Sequence, residues 1–294
     1  MLRLRTAAAE RLTSTPPELL FVLSGISMYI GAAVAVVAFD YLPAAGVAWY
    51  RVLWAGIIVF AVRKAWRGPW TRRQVLLAGL FGTALAAMNL SFYLAIDRLP
   101  LGSTVAIEFA GPVTVAAVGS RTRRSALALA LTTAGVVVLA DVQLEASVAG
   151  VVFALMAATL WAAYIVLGAR VATEARAVDG LGIGMLVGVL AIAPFGLAPA
   201  LQIVDHPWVL LLTITTALLS NVIPYGLDQV ILRRIPRARF AFLLALLPVT
   251  ATLTGFVALR QSPSPIELAG IALVVVGIAA SERYDEAAVE ASAS

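Results

Sequence analysis

Residues 88–118 read MNLSFYLAIDRLPLGSTVAIEFAGPVTVAAV. Between Leu99 and Ser120 the one charged side chain is Glu108. A carboxylate near the centre of a membrane-spanning helix is costly, so it faces a cavity or a partner and carries function. Four residues on, Pro112 removes a backbone donor, and Gly111 beside it permits close backbone approach. The stretch reads as an acid on a locally weakened helix inside a membrane bundle, with Gly111 and Pro112 as the break. Pro248, in LALLPVTA, reads as a second break of the same kind.

Composition agrees. Hydrophobic residues make up 62% of the 294 and charged residues 13%, with a mean hydropathy of +0.97. Soluble domains hold about 45–50% apolar and about 25% charged residues. There is no cysteine, which excludes disulfides, thiolate catalysis and cysteine metal sites. The one histidine, His206, sits in a loop before Pro207 and suggests neither catalysis nor a metal. No Gly-Lys-Ser/Thr phosphate loop occurs, so ATP-driven pumping by this chain is unsupported. A pI of about 10 would suit nucleic acid. The basic residues instead lie in short clusters between apolar runs, so no nucleic-acid partner and no cofactor are expected.

Ten helical spans are expected, at 18–38, 44–62, 74–95, 101–119, 125–141, 148–168, 180–199, 207–227, 239–258 and 266–281. The first has no small-residue cleavage site at its end and reads as an uncleaved helix. The polar tail after Ser281 reads as disordered. Lys and Arg set the orientation. One side collects Arg3, Arg5 and Arg11, then Arg63, Lys64, Arg67, Arg72 and Arg73, then Arg121, Arg123 and Arg124. Arg170, Arg176, Arg233, Arg234, Arg237, Arg239 and Arg283 join them. Only Arg98 and Arg260 fall opposite, with Arg51 in the membrane. Both termini are therefore expected in the cytoplasm.

The chain also repeats. Leu99-Pro100 with Pro112-Val-Thr matches Ile235-Pro236 with Pro248-Val-Thr at an offset of 136. FVLSGISMYI in the first helix resembles FALMAATLWA in the sixth at an offset of 132. An odd count of five helices per copy inverts the second copy, a common plan of secondary transporters with a midplane site. The expected fold class is all-α integral membrane, ten helices as two inverted five-helix repeats. Its parts are a cytoplasmic segment 1–17, repeats 18–141 and 148–281, and a cytoplasmic tail 282–294.

These residues carry a family resemblance. Met88-Asn89, Phe92-Tyr93-Leu94, Pro100-Leu101-Gly102, Glu108-Phe109 and Gly111-Pro112 resemble the third and fourth helices of the bacterial threonine/homoserine exporters. Those belong to the EamA branch of the drug/metabolite transporter superfamily. Trp161, Ala162, Tyr164 and Ile165 resemble its W-A-x-Y-I helix, and Ser220, Pro224, Tyr225 and Leu227 its S-x-x-x-P-Y-x-L helix. Arg51 stands where the family has its second-helix arginine. The chain departs at Leu247 and Gln261, where the family commonly has acids. The resemblance implies export of small amino acids across the bacterial inner membrane, driven by protons. The partners so implied are the amino acid, protons and the lipid bilayer. Export of another metabolite or a cationic drug shares the fold. An integral-membrane enzyme lacks a nucleophile, metal cluster or paired acids here.

Candidate substrate-binding residues are Glu108, Arg51, Asn89, Tyr93, Trp161, Tyr164, Asn221 and Tyr225. Glu108 lies about 10 Å deep, seven residues from its helix end. It either takes the substrate ammonium, takes a proton, or does each in turn; the plainer reading is an ion pair with Arg51. Arg51 either clamps a carboxylate, neutralises Glu108 or snorkels outward. The aromatics offer a cation-attracting wall or simple packing. Trp161 and Tyr164 share a helix face. Asn89 and Asn221 bind substrate or join helices, and Asn221, with Tyr29, carries the least signal. Asp228, near the cytoplasmic end of its helix, reads first as a solvated charge or a partner of Arg233 or Arg234, and second as an inner gate.

Overall fold

The computed structural model describes residues 15–67, 69–120, 122–171, 177–224 and 243–293, with single positions 227, 231 and 234. All regular structure among the described residues is helical. The elements are α1 (Pro17–Ala38), α2 (Ala44–Val62), α3 (Arg72–Ile96), α4 (Leu101–Glu108), α5 (Ala110–Ser120) and α6 (Arg123–Leu144). They continue with α7 (Val148–Val171), α8 (Ala177–Leu201), α9 (Val209–Ala217), α10 (Leu246–Leu259) and α11 (Pro265–Ala293). Helices α4 and α5 together form the fourth span, so these elements make ten apolar segments.

Local chemistry sets the starts. Prolines precede α1, α2 and α4 at positions 16, 43 and 100, where a missing N–H costs nothing. Thr71 caps α3 in a reciprocal box, each of Thr71 and Gln74 accepting the other's backbone N–H at 3.2 Å. Thr122 caps α6 by accepting from the Ser125 N–H at 3.2 Å.

Among the described residues seven helices are long and apolar enough to cross a membrane, and three further apolar helices are shorter, at 10–17 residues. Those three are Val209–Val222, Leu246–Leu259 and Pro265–Ala280; the first two are shorter than the 207–227 and 239–258 read from hydropathy, and the third matches the length of 266–281. For the eighth, residues 225, 226 and 228–230 lie outside the described ones. For the ninth, residues 239–242 lie outside the described ones. Large apolar side chains face outward, among them Leu190, Phe195, Leu211 and Val257. In water such a surface would aggregate; here it meets lipid. The protein is a multi-pass membrane protein.

Helix α11 runs to Ala293, where a disordered tail was expected. The run DEAAVEASA has no proline or glycine, and alanine and glutamate are strong helix formers.

The packing pairs recur between the halves. Helix α2 packs on α8, α4 on α10, and α6 on α11. Helix α1 packs on α9 and α10, as α7 packs on α3 and on α4–α5. Helix α3 meets α8 as α9 meets α2. Several of these crossings are close enough to need glycine, and two are the tightest on backbone atoms. A Cβ on Gly82 of α3 would strike the Gly184 backbone of α8, and one on Gly111 would strike the Ala158 carbonyl of α7.

Candidate functional site

The centre of the bundle is built on two interrupted helices. Glu108 is the last residue of α4; Phe109 is a turn, and the chain becomes helical again at Ala110. Pro112 has no N–H to offer the Glu108 carbonyl four residues back, and its ring crowds that carbonyl. The ninth span does the same. Leu243 and Leu244 are helical, Ala245 is a turn, and α10 starts at Leu246 with the buried Pro248 in its first turn. The break thus lies three residues before each proline. Leu244 stands where the first half has Glu108.

The second device is in the eighth span. After α9 the backbone widens into a π turn at Leu218–Val222, carrying buried Ser220 and Asn221. Pro224 explains it. A regular helix would ask Pro224 to donate to the Ser220 carbonyl, which it cannot, and the wider turn relieves the clash. Ser220 Oγ instead donates to the Met28 carbonyl of α1 at 2.9 Å. Ser27 Oγ returns a bond to the Leu219 carbonyl at 2.9 Å.

Arg51 reaches this turn from α2. The helix is held by indole donors on either side: Trp49 Nε1 bonds the Val189 carbonyl at 3.2 Å and Trp54 Nε1 bonds Thr213 Oγ1 at 3.3 Å. The guanidinium, 7% exposed, donates to Asn221 Oδ1 from Nε at 3.3 Å and Nη2 at 2.9 Å. It also lies 4.9 Å from the centre of the Tyr93 ring. Tyr93 is fully buried between this cation and Phe39, whose ring meets it edge-on at 5.8 Å.

Glu108, also 7% exposed, lies within electrostatic reach of Arg51 and of buried Tyr29 on α1. Among the described residues no hydrogen bond or contact ion pair within 4.0 Å joins Glu108 to Arg51. The two charges share one buried region while Arg51 spends its contacts on an amide and a ring.

The other candidates separate. Asn89 is buried, but its side-chain N–H donates to the Leu85 carbonyl of its own helix at 2.8 Å. Trp161 and Tyr164 are half-buried. Trp161 meets Phe109 edge-on at 4.9 Å, beside Glu108, and Tyr164 stacks on Phe81 at 4.6 Å. Both rings pack on protein aromatics. Tyr225 and Asp228 lie outside the described residues.

One further acid is buried: Glu267, in the first turn of α11, is only 7% exposed. Its Oε1 accepts from Gln143 Nε2 at 2.6 Å and Ser103 Oγ at 3.0 Å. Its Oε2 accepts from the Ser264 N–H at 2.8 Å, while Ser264 Oγ accepts from the Glu267 N–H at 3.2 Å. That is a capping box at the start of α11, legible as Ser264-x-x-Glu267. Nearby Gln261 Oε1 accepts the Leu101 N–H at 3.0 Å, capping α4 from a distant loop. A cavity of about 140 Å³ lies here, lined by Pro100, Ser103, Thr252, Gln261 and Pro263. Among the described residues no group of three acidic or histidine side chains is placed to hold a metal.

Comparison with known proteins gives a consistent match. Residues 148–281 match the model of the EamA-like transporter family. The threonine/homoserine exporter RhtA of Escherichia coli (strain K12) is 31% identical over 262 residues, covering 88% of this chain and 88% of its own. The same exporter of Salmonella typhimurium (strain LT2) is 30% identical over 262 residues, with the same coverage. A solved structure, described only as the crystal structure of a protein, shares the fold at a TM-score of 0.51 and 18% identity. That match covers 90% of this chain and 96% of the other.

Proposed function

Since the chain belongs to the EamA-like transporter family, we propose that it exports small amino acids of the threonine and homoserine kind by alternating access coupled to protons. Two RhtA exporters at 30–31% identity support the substrate class. The observation that carries the reading is a buried acid and a buried cation set apart. Glu108 and Arg51 share the centre of the bundle without a contact ion pair among the described residues. A zwitterion presents an ammonium and a carboxylate at fixed separation, and this arrangement offers each a partner. An acid in low dielectric is neutralised readily, so Glu108 takes the ammonium in one state and a proton in another.

The pairing of α2 with α8, α4 with α10 and α6 with α11 supports two inverted repeats, 18–141 and 148–281. The interrupted fourth and ninth spans, with Gly111, Pro112 and Pro248 at their breaks, are the segments that bend during the exchange of access. The protein lies in the bacterial inner membrane with its N-terminal segment 1–17 and tail 282–294 in the cytoplasm, and it performs transport rather than catalysis. Labelled threonine, a panel of other amino acids and organic cations, each loaded into vesicles holding the purified protein, test this. Threonine or homoserine should leave fastest. Efflux of organic cations without amino acids would replace the reading with cation export.

A further inference from the structure

Two polar atoms in the central cluster are buried and have no hydrogen-bond partner among the described residues: Tyr93 Oη and Asn221 Nδ2. Their residues are 0% and 3% exposed. A buried polar atom left unpaired costs about 1–3 kcal/mol, so two around one cation call for a ligand. The orientation of the Asn221 amide follows from chemistry. Arginine is donor only, so Oδ1 must face it, which turns Nδ2 away with both its hydrogens free. Arg51 itself has five N–H groups and among the described residues uses one on Nε and one on Nη2, leaving three. Tyr93 Oη lies beside Arg51 and Ser220 without meeting either in hydrogen-bond geometry. Ser220 Oγ donates to the Met28 carbonyl.

Everything unpaired at this spot can donate, and the centre carries a fixed positive charge. A cation in the membrane interior with no contacting carboxylate is itself costly. We propose that Arg51, Asn221 and Tyr93 form the carboxylate pocket of the transport site, so that the protein selects substrates with a free α-carboxylate. The inference rests on the amino-acid export reading and fixes how the substrate lies: carboxylate on the Arg51 fork, ammonium towards Glu108. The planar guanidinium suits a planar carboxylate, and the Tyr93 ring lies 4.9 Å from it on one side. Asn221 plays two parts, orienting Arg51 through Oδ1 and donating to the substrate through Nδ2.

The sequence holds an independent trace of this. Asn89-x-x-x-Tyr93 on α3 recurs as Asn221-x-x-x-Tyr225 in the eighth span, at the offset of 132 that relates the first and sixth helices. The duplicated pair has been put to unequal use. Asn89 donates to its own helix, whereas Asn221 holds Arg51. The site has one arginine because the position 132 residues after Arg51 is Ile183.

The test is competition binding of L-threonine and L-threoninamide to the purified full-length protein, for wild type, Asn221→Asp and Tyr93→Phe. Folding is followed by gel-filtration elution and thermal melting. Aspartate at 221 still accepts both Arg51 bonds, so a purely structural role survives the change. It also places a fixed negative charge where the substrate carboxylate goes. Wild type should prefer threonine over the amide. Asn221→Asp should lose threonine affinity by about tenfold to a hundredfold while the amide binds no more weakly than before. Tyr93→Phe should lose several-fold on threonine only. Equal affinity of wild type for acid and amide overturns the pocket and leaves amino-acid export standing. An unchanged threonine affinity in well-folded Asn221→Asp, or equal losses on both ligands, also overturns it. Wild type that binds no α-amino acid ends the export reading and the pocket with it.

Discussion

Replacing Glu267 by alanine should destabilise the protein by about 2–5 kcal/mol. The figure follows from what the carboxylate touches. Loss of Oε1 leaves the buried Gln143 amide without its 2.6 Å acceptor, at about 1–3 kcal/mol for an orphaned buried donor. Ser103 loses a 3.0 Å partner, but its hydroxyl can rotate to another carbonyl, so the cost there is smaller. Loss of Oε2 opens half of the capping box with Ser264, at about 1 kcal/mol. Glu267→Gln keeps one acceptor oxygen and should cost less than half as much. The assay is chemical unfolding in detergent micelles, followed by tryptophan fluorescence. Because Ser103 is on α4 and Gln143 on α6, the same variant should also loosen these two helices from α11. Gel-filtration and protease sensitivity of the loop at 260–264 read that out. Stability of Glu267→Ala within about 0.5 kcal/mol of wild type would refute the reasoning, as would a glutamine variant as weak as the alanine one.

Gly111→Val should fail to accumulate or should melt early, because its side chain would be driven into the Ala158 backbone of α7; a normal melting curve would show that α5 and α7 do not pack so closely. Trp161→Ala should weaken threonine binding by about tenfold while leaving insertion intact, since the indole covers Phe109 next to Glu108; unchanged binding in titration calorimetry would reduce Trp161 to packing. Reporter fusions after Arg121 and after Glu145 should fall on opposite sides of the membrane with Arg121 inside. Finding both on one side would remove the fifth span from the topology.

Much of this was legible in the sequence, and the remainder was illegible for physical reasons. The spans could be read because twenty apolar residues in a row have few other fates, and their starts because Pro16, Pro43 and Pro100 mark them. The break beside Glu108 was legible because Pro112 sits four residues away. The π turn was not: Pro224 signals a disturbed helix, but whether the turn widens, kinks or ends depends on its neighbours. Glu108 and Arg51 stood out because charge is rare in apolar helices. Asn221 did not, since an amide among apolar residues is ordinary, and its bond to Arg51 joins positions 170 residues apart. No spacing rule sets the relative rotation of two such helices. Glu267 is the converse case: Ser264-x-x-Glu267 spells its capping box, but the bonds to Gln143 and Ser103 that bury it join positions 124 and 164 residues apart.

The central claim is that Glu108 couples amino-acid movement to protons, and one measurement addresses it directly. Labelled threonine is loaded into vesicles containing wild type or Glu108→Gln, and its movement is followed with and without an imposed pH gradient. Glutamine keeps the shape and hydrogen bonding of the acid but stays neutral. Threonine should move against its gradient through wild type when protons flow the other way, and this uphill movement should vanish in a Glu108→Gln protein that folds normally. Uphill, pH-dependent threonine flux in that variant, equal to wild type, would contradict the account.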